Sequence, residues 1–111
     1  MGMAVDPRRG DVCLVELDTV RGSEIRKTRP CLVVSPDEIN RRLDTLIVAP
    51  MTTGGHAYSW RIACRFQKRH GFVALEQVRT VDRERLVRKL GKINPATLGN
   101  VLMVLQEMFV A

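Results

Sequence analysis

The chain has 111 residues, enough for one compact domain and too few for two. Hydrophobic residues make up 45%, so a core can form, and no apolar run is long enough to cross a membrane. Eighteen Lys and Arg against 12 Asp and Glu leave a net charge of +6. Most of those cations are arginine, whose forked donors match phosphate, so a polyanionic partner is favoured. The charges are not gathered into one block, which argues against a disordered basic tail as their carrier.

Residues 1–8 include Arg8 and lack the apolar segment of a signal peptide; a flexible tail is expected there, with a single domain over 9–111. Cys13, Cys31 and Cys64 are odd in number and lack close pairing, which argues against a disulfide framework and a zinc site. Cys13 and Cys31 fall in apolar runs, where a thiol acts as a small buried hydrophobe. A reducing compartment, the cytoplasm, is expected.

In chain order, Asp11 to Leu17 (DVCLVEL) is rich in β-formers and predicts a strand. A polar stretch from Asp18 to Arg29 follows, long enough to predict a functional loop. The continuous apolar run Cys31 to Ser35 suits a buried strand, and Pro36 opens a short helix through Arg42. Leu46 to Ala49 is again a strand, expected to stop at Pro50. Met51 to Ser59 holds Gly54–Gly55 and reads as a loop; Trp60 to Cys64 resumes strand character. Gln67 to Gly71 reads as a basic turn, Phe72 to Leu75 as a strand, Val78 to Val81 as a short segment and Val87 to Ile93 as a last strand. The one strong helix is terminal: Asn94 is an N-cap, Pro95 the first helical residue, and Leu98, Val101, Leu102, Leu105, Met108 and Phe109 line one face. Short strands with one terminal helix predict a small, mostly antiparallel β-barrel.

No nucleophile–base order, P-loop or metal-ligand cluster is visible. His56 and His70 lie near glycine without partners at recognisable spacing, and read first as solvated loop histidines. Polar residues do gather where strands end: Arg21 to Glu24 leading through Arg26 and Lys27 to Arg29–Pro30, then Met51–Thr52–Thr53, then Glu76–Gln77–Val78–Arg79. Strand ends feeding polar loops are where small β-domains build binding surfaces.

Four blocks in order, RGDVCLVELDTVRGSE (Arg9 to Glu24), RPCLVVS (Arg29 to Ser35), IVAPMTT (Ile47 to Thr53) and ALEQVRTVD (Ala74 to Asp82), resemble the MazF/PemK toxins. The resemblance implies an SH3-like antiparallel barrel with short helical insertions and a C-terminal helix, and a homodimer. It further implies a metal-independent endoribonuclease without a cofactor. Single-stranded RNA would be cut into 2′,3′-cyclic phosphate and 5′-hydroxyl ends, and a cognate acidic antitoxin would block the groove. By the same resemblance Arg29, Thr52 and Glu24 are the expected catalytic residues. Ser23, Arg26, Lys27, Thr53, Gln77 and Arg79 are expected RNA contacts. His56 and Tyr58, with Trp60, are candidate stacking faces for unpaired bases.

These residue types suit cyclising cleavage. A guanidinium accepts no proton readily, so Arg29 fits an electrostatic or acid-like role at the phosphate. Thr52 would position the phosphate or relay a proton. Glu24 would orient Arg29 or act as base, and the sequence leaves both open. Two alternatives stand beside this reading. A CcdB-like gyrase poison of the same fold depends on a C-terminal Trp-Gly-Ile, where this chain reads Phe109–Val110–Ala111. A non-catalytic barrel binding RNA or a peptide has no evident need of Arg29 and Thr52 together.

Overall fold

One strand organises the rest. The computed structural model describes residues 6–17 and 27–111, and within them β3 (Thr45–Thr52) pairs with three other strands. Along one edge its first half meets β6 (Arg79–Asp82) and its last two residues meet β5 (Arg69–Ala74). The other edge, Val48 to Pro50, meets β2 (Thr28–Val33). Eight residues serving three partners must bend, and that bend curls the sheet into a half-barrel. Pro50 does not end the strand as expected. It falls between the last β6 pair, Val48↔Arg79, and the first β5 pair, Met51↔Val73, where a missing donor is tolerated.

The remaining strands are β1 (Asp11–Glu16), β4 (Arg61–Phe66) and β7 (Leu86–Lys92), all antiparallel, in the order β4-β5-β3-β2-β1-β7 with β6 joined to β3. The outermost strands, β4 and β7, meet through side chains instead of a ladder. Gln67 Nε2 donates to the Leu90 carbonyl at 3.1 Å, and the Phe66 ring lies against Gly91. Two register shifts in β1–β7 add twist at this end. The expected SH3-like barrel with a terminal helix is the observed architecture.

Both faces of the central strands are covered, which explains the continuous apolar run at Cys31 to Val34. Val12, Leu32, Val34, Ala49, Met51, Val73 and Leu75 face α2 (Pro95–Met108), whose Val101 is fully buried among them. Their sequence neighbours Cys13, Val15, Cys31, Val33, Leu46 and Val48 form a second cluster on the opposite face with Val81 and Leu86. The two-residue period of a strand divides one run between two cores. Buried Asp11 is held by the Arg8 N–H at 2.8 Å and by Lys89 at 3.3 Å. Pro7 is buried too, so the described part of the expected tail, residues 6–8, is tied to β1.

The α2 cap is as read: Asn94 Oδ1 accepts from the Ala96 N–H at 2.7 Å, with Pro95 at the first position. Its packed face is shorter than expected. Leu98, Val104 and Leu105 reach the core, whereas Met108 and Phe109 are exposed because the last turn overruns the sheet. The short helix α1 (Asp37–Arg42) is anchored by buried Asn40, whose Nδ2 donates to the Ser35 carbonyl at 3.0 Å. The basic turn contracts to Gln67 and Lys68, both at positive φ, because β4 and β5 pair without a break from Arg61↔Ala74 to Phe66↔Arg69. No helix among the described residues is long and apolar enough to cross a membrane.

Candidate active-site groove

β2 emerges from the core as it nears its start: Cys31 to Val33 are buried, Pro30 is half-buried, and Thr28 and Arg29 are exposed. β3 emerges at its opposite end, at Thr52 and Thr53. The two strands are antiparallel with Cys31↔Pro50 as their last pair, so continuing that register sets Arg29 opposite Thr52. Beyond this point the strands no longer bond each other, and a cavity of about 640 Å³ opens. Lys27, Thr28, Arg29 and Pro30 form one wall, Met51, Thr52 and Thr53 the floor, and Cys64, Phe66, Gln67, Arg69, His70 and Gly71 the wall from the β4–β5 hairpin.

The floor is fixed by backbone. Thr52 pairs with Phe72 of β5, and a Cβ on Gly71 would lie 1.8 Å from the Thr52 carbonyl oxygen. Only glycine allows that approach. The Thr52 hydroxyl donates to the Gly54 carbonyl at 3.0 Å, which orients it at the strand end. Electrostatically the cavity is one-sided: Lys27, Arg29, Arg69 and His70 line it, and no carboxylate does among the described residues. Nor do any three His, Cys, Asp or Glu side chains converge as a metal site there or elsewhere among those residues. Burial raises the Cys64 thiol, and it pushes Cys31 up to about 12 and Cys13 to about 11, so these cysteines are packing groups.

Of the residues expected to act together, the structure brings Arg29, Thr52, Thr53 and Lys27 into one cavity. Glu24, Ser23 and Arg26 lie outside the described residues. Arg79 lines a separate, smaller cavity of about 300 Å³ and also the hollow beside α2, yet both it and Arg29 act electrostatically on the Cys31 thiol. His56, Tyr58 and Gln77 do not line the Arg29 cavity. They belong to a second surface, built on the loop between β3 and β4. Tyr58 and Trp60 stack with ring centroids 4.9 Å apart and planes within 3°, and His56 meets Tyr58 edge-on at 6.4 Å. Trp60 is 41% exposed, so it is part of this surface and not of the barrel core. Arg61 bonds Glu76 through Nε at 3.0 Å, and Gln77 Nε2 donates to the same carboxylate. Arg61 holds the Glu76 carboxyl below the usual carboxylate range.

The sequence reading missed the hairpin's share. Arg69 and His70 belong to β5, not to a solvated turn, and the basic string Gln67–His70 was the available signal.

Fold and groove together define a small basic β-barrel with an open cationic cleft at its strand ends, a shape suited to a chain of phosphates. Comparison with known proteins gives the family. The model described as a PemK-like, MazF-like toxin of type II toxin-antitoxin systems matches residues 8–109. Endoribonuclease EndoA of Bacillus subtilis (strain 168) is 35% identical over 105 residues, 89% of this chain and 90% of that protein. A MazE–MazF crystal structure from Deinococcus radiodurans superposes with a TM-score of 0.81 at 23% identity, covering 93% of this chain and 95% of that one. An endoribonuclease in complex with its cognate antitoxin, from Mycobacterial species, gives 0.76 at 24% identity over 91% and 92%. This chain belongs to the PemK-like, MazF-like toxin family.

Proposed function

We propose that the chain is an endoribonuclease toxin that cuts single-stranded RNA through the substrate's own 2′-hydroxyl and is neutralised by a cognate antitoxin. The observation that carries the reading is the meeting of Arg29 and Thr52 in one cationic cavity without a carboxylate lining it among the described residues. The relative EndoA bears the name endoribonuclease, which supports the same activity. RNA lies along the cleft with its phosphates against Lys27, Arg29 and Arg69. Arg29 stabilises the negative charge that grows on the phosphorane, and Thr52 positions the phosphate. Glu24 orients Arg29. Unpaired bases stack on the Tyr58–Trp60 surface, with His56, Gln77 and Arg79 as outer contacts and Thr53 nearer the phosphate; Ser23 and Arg26 are further contacts to the RNA.

The attacking oxygen is tethered beside the phosphorus, so proximity supplies much of the rate and no metal-activated water is called for. The partner is an acidic antitoxin segment that competes with RNA for the cleft, as the antitoxin complex of the mycobacterial endoribonuclease supports. Self-association uses a different surface. Met103, Met108, Phe109 and Val110 are exposed on and after α2, beside a hollow of about 1050 Å³ that also includes Val34, Ile47 and Val78. Covering this surface with a second copy makes a homodimer.

Purified protein incubated with a long RNA in excess EDTA should give fragments with 2′,3′-cyclic phosphate and 5′-hydroxyl ends. An oligonucleotide with a single 2′-deoxy sugar 5′ to the scissile phosphate should bind and remain intact. Cleavage of that oligonucleotide, or loss of activity in EDTA, would refute the mechanism.

A further inference from the structure

The cavity holds its phosphate-binding groups in plain view, but cyclisation also needs an acceptor for the 2′-hydroxyl proton. Lysine and arginine side chains are donors without an acceptor site, which sets Lys27, Arg29 and Arg69 aside. Cys64 is buried, and desolvation raises its thiol. His70 is left. It is exposed, it lines the cavity, and it precedes Gly71, the residue packed directly on the Thr52 backbone. The strand that carries the imidazole is therefore pinned to the strand end that carries the phosphate-positioning hydroxyl. Histidine is also the side chain suited to exchanging a proton between about pH 5 and 8.

We propose that His70 is the general base of the cleavage, a role that rests on the ribonuclease reading above. Its unprotonated ring nitrogen takes the proton from the 2′-hydroxyl as the 2′-oxygen bonds to phosphorus. The bond from phosphorus to the 5′-oxygen breaks, and the leaving oxygen takes a proton from water in the open cleft. The imidazolium then returns its proton to solvent, so the step balances without a further reactant. Arg29 spreads the phosphorane charge while this happens. The charged and titratable groups around the imidazole are Lys27 and Arg29 on the β2 side, Cys64 and Arg65 on β4, Lys68 in the turn, and Arg69 beside it; Arg65 is its cross-strand partner.

The test is the pH dependence of kcat/KM for wild type, His70→Asn and Glu24→Gln on one RNA oligonucleotide at fixed salt. Wild type should lose rate as pH falls, and Glu24→Gln should keep that acid limb. His70→Asn should lose about 10²–10⁴-fold and lose the limb, with part of the rate restored by added imidazole. It should still bind the 2′-deoxy oligonucleotide as wild type does, with unchanged circular dichroism. A His70→Asn enzyme that keeps the acid limb, or cleaves at the wild-type rate, overturns the assignment alone. A wild-type protein that cuts no RNA overturns the ribonuclease reading, and this proposal with it.

Discussion

The cleft beside Arg29 and the hollow beneath α2 are both concave, yet their walls differ in kind. The first is rimmed by Lys27, Arg29, Arg69 and His70, the second mainly by apolar side chains, Val34, Ile47, Val78, Leu102 and Phe109 among them, beside Arg9 and Arg79. The difference follows from where each sits. The cleft lies where strands run out of ladder partners, so polar side chains and free backbone groups collect there. The hollow lies where a helix overruns its sheet, so apolar side chains meant for burial are left uncovered. A domain this small buries too little surface to hide them all. On the proposed reading one face takes phosphates and the other protein, and they should separate under mutation.

The largest effect is expected in the cleft. Arg29→Ala or Thr52→Ala should lower kcat about 10²–10³-fold, as loss of one preorganised electrostatic donor does elsewhere. Circular dichroism and mass by light scattering should not change, because both residues sit at strand ends outside the core. A wild-type rate in either variant would break the assignment of this face.

The second effect is confined to the hollow. Met103→Asp with Phe109→Asp should convert a dimer at micromolar concentration to a monomer. Each uncovered side chain stands for about 1.5–3 kcal/mol of burial, or roughly 10–100-fold in the dimer Kd. Light scattering that shows no shift in mass would remove the hollow from the interface.

The smallest concerns the Arg61–Glu76 ion pair beside the aromatic surface. Because Arg61 depresses the Glu76 carboxyl, the ion pair stabilises the fold above the carboxyl's unfolded pKa, and that contribution is lost as pH falls through its lower folded value. Glu76→Gln should therefore lower Tm at neutral pH and converge with wild type in strong acid. The pair is partly solvated, with Arg61 and Glu76 side chains 19% and 33% exposed, so the loss should be small. An equal Tm difference at both pH values would show that the carboxylate charge is not the cause.

The strands and the terminal helix were legible because their signals are local: alternation, β-branched runs, an Asn–Pro start. What misled was any residue whose meaning depends on a neighbour distant in sequence. Pro50 stops an isolated strand, but β3 changes partners there and passes through. Phe109 continues the apolar stripe of α2, but the sheet beneath it has ended. At the site, Arg29 and Thr52 carry a family pattern in their own segments and were found together. His70 carries none; it joins them only because β5 pairs with β3. Gln77 and Arg79 follow one another closely in sequence and yet face different surroundings, since Gln77 ends a 3-10 turn beside Glu76 and Arg79 opens β6.

Gly71 deserves a consequence of its own. With main chain pressed on main chain at this point, the set of residues it can accept has one member. The neighbouring Arg69 is under no such restriction, so a descendant protein is free to exchange that cation. It is not free to move the main chain of Thr52. The charge of the hairpin can drift while the geometry of the cleft floor is inherited unchanged through a residue with no side chain at all.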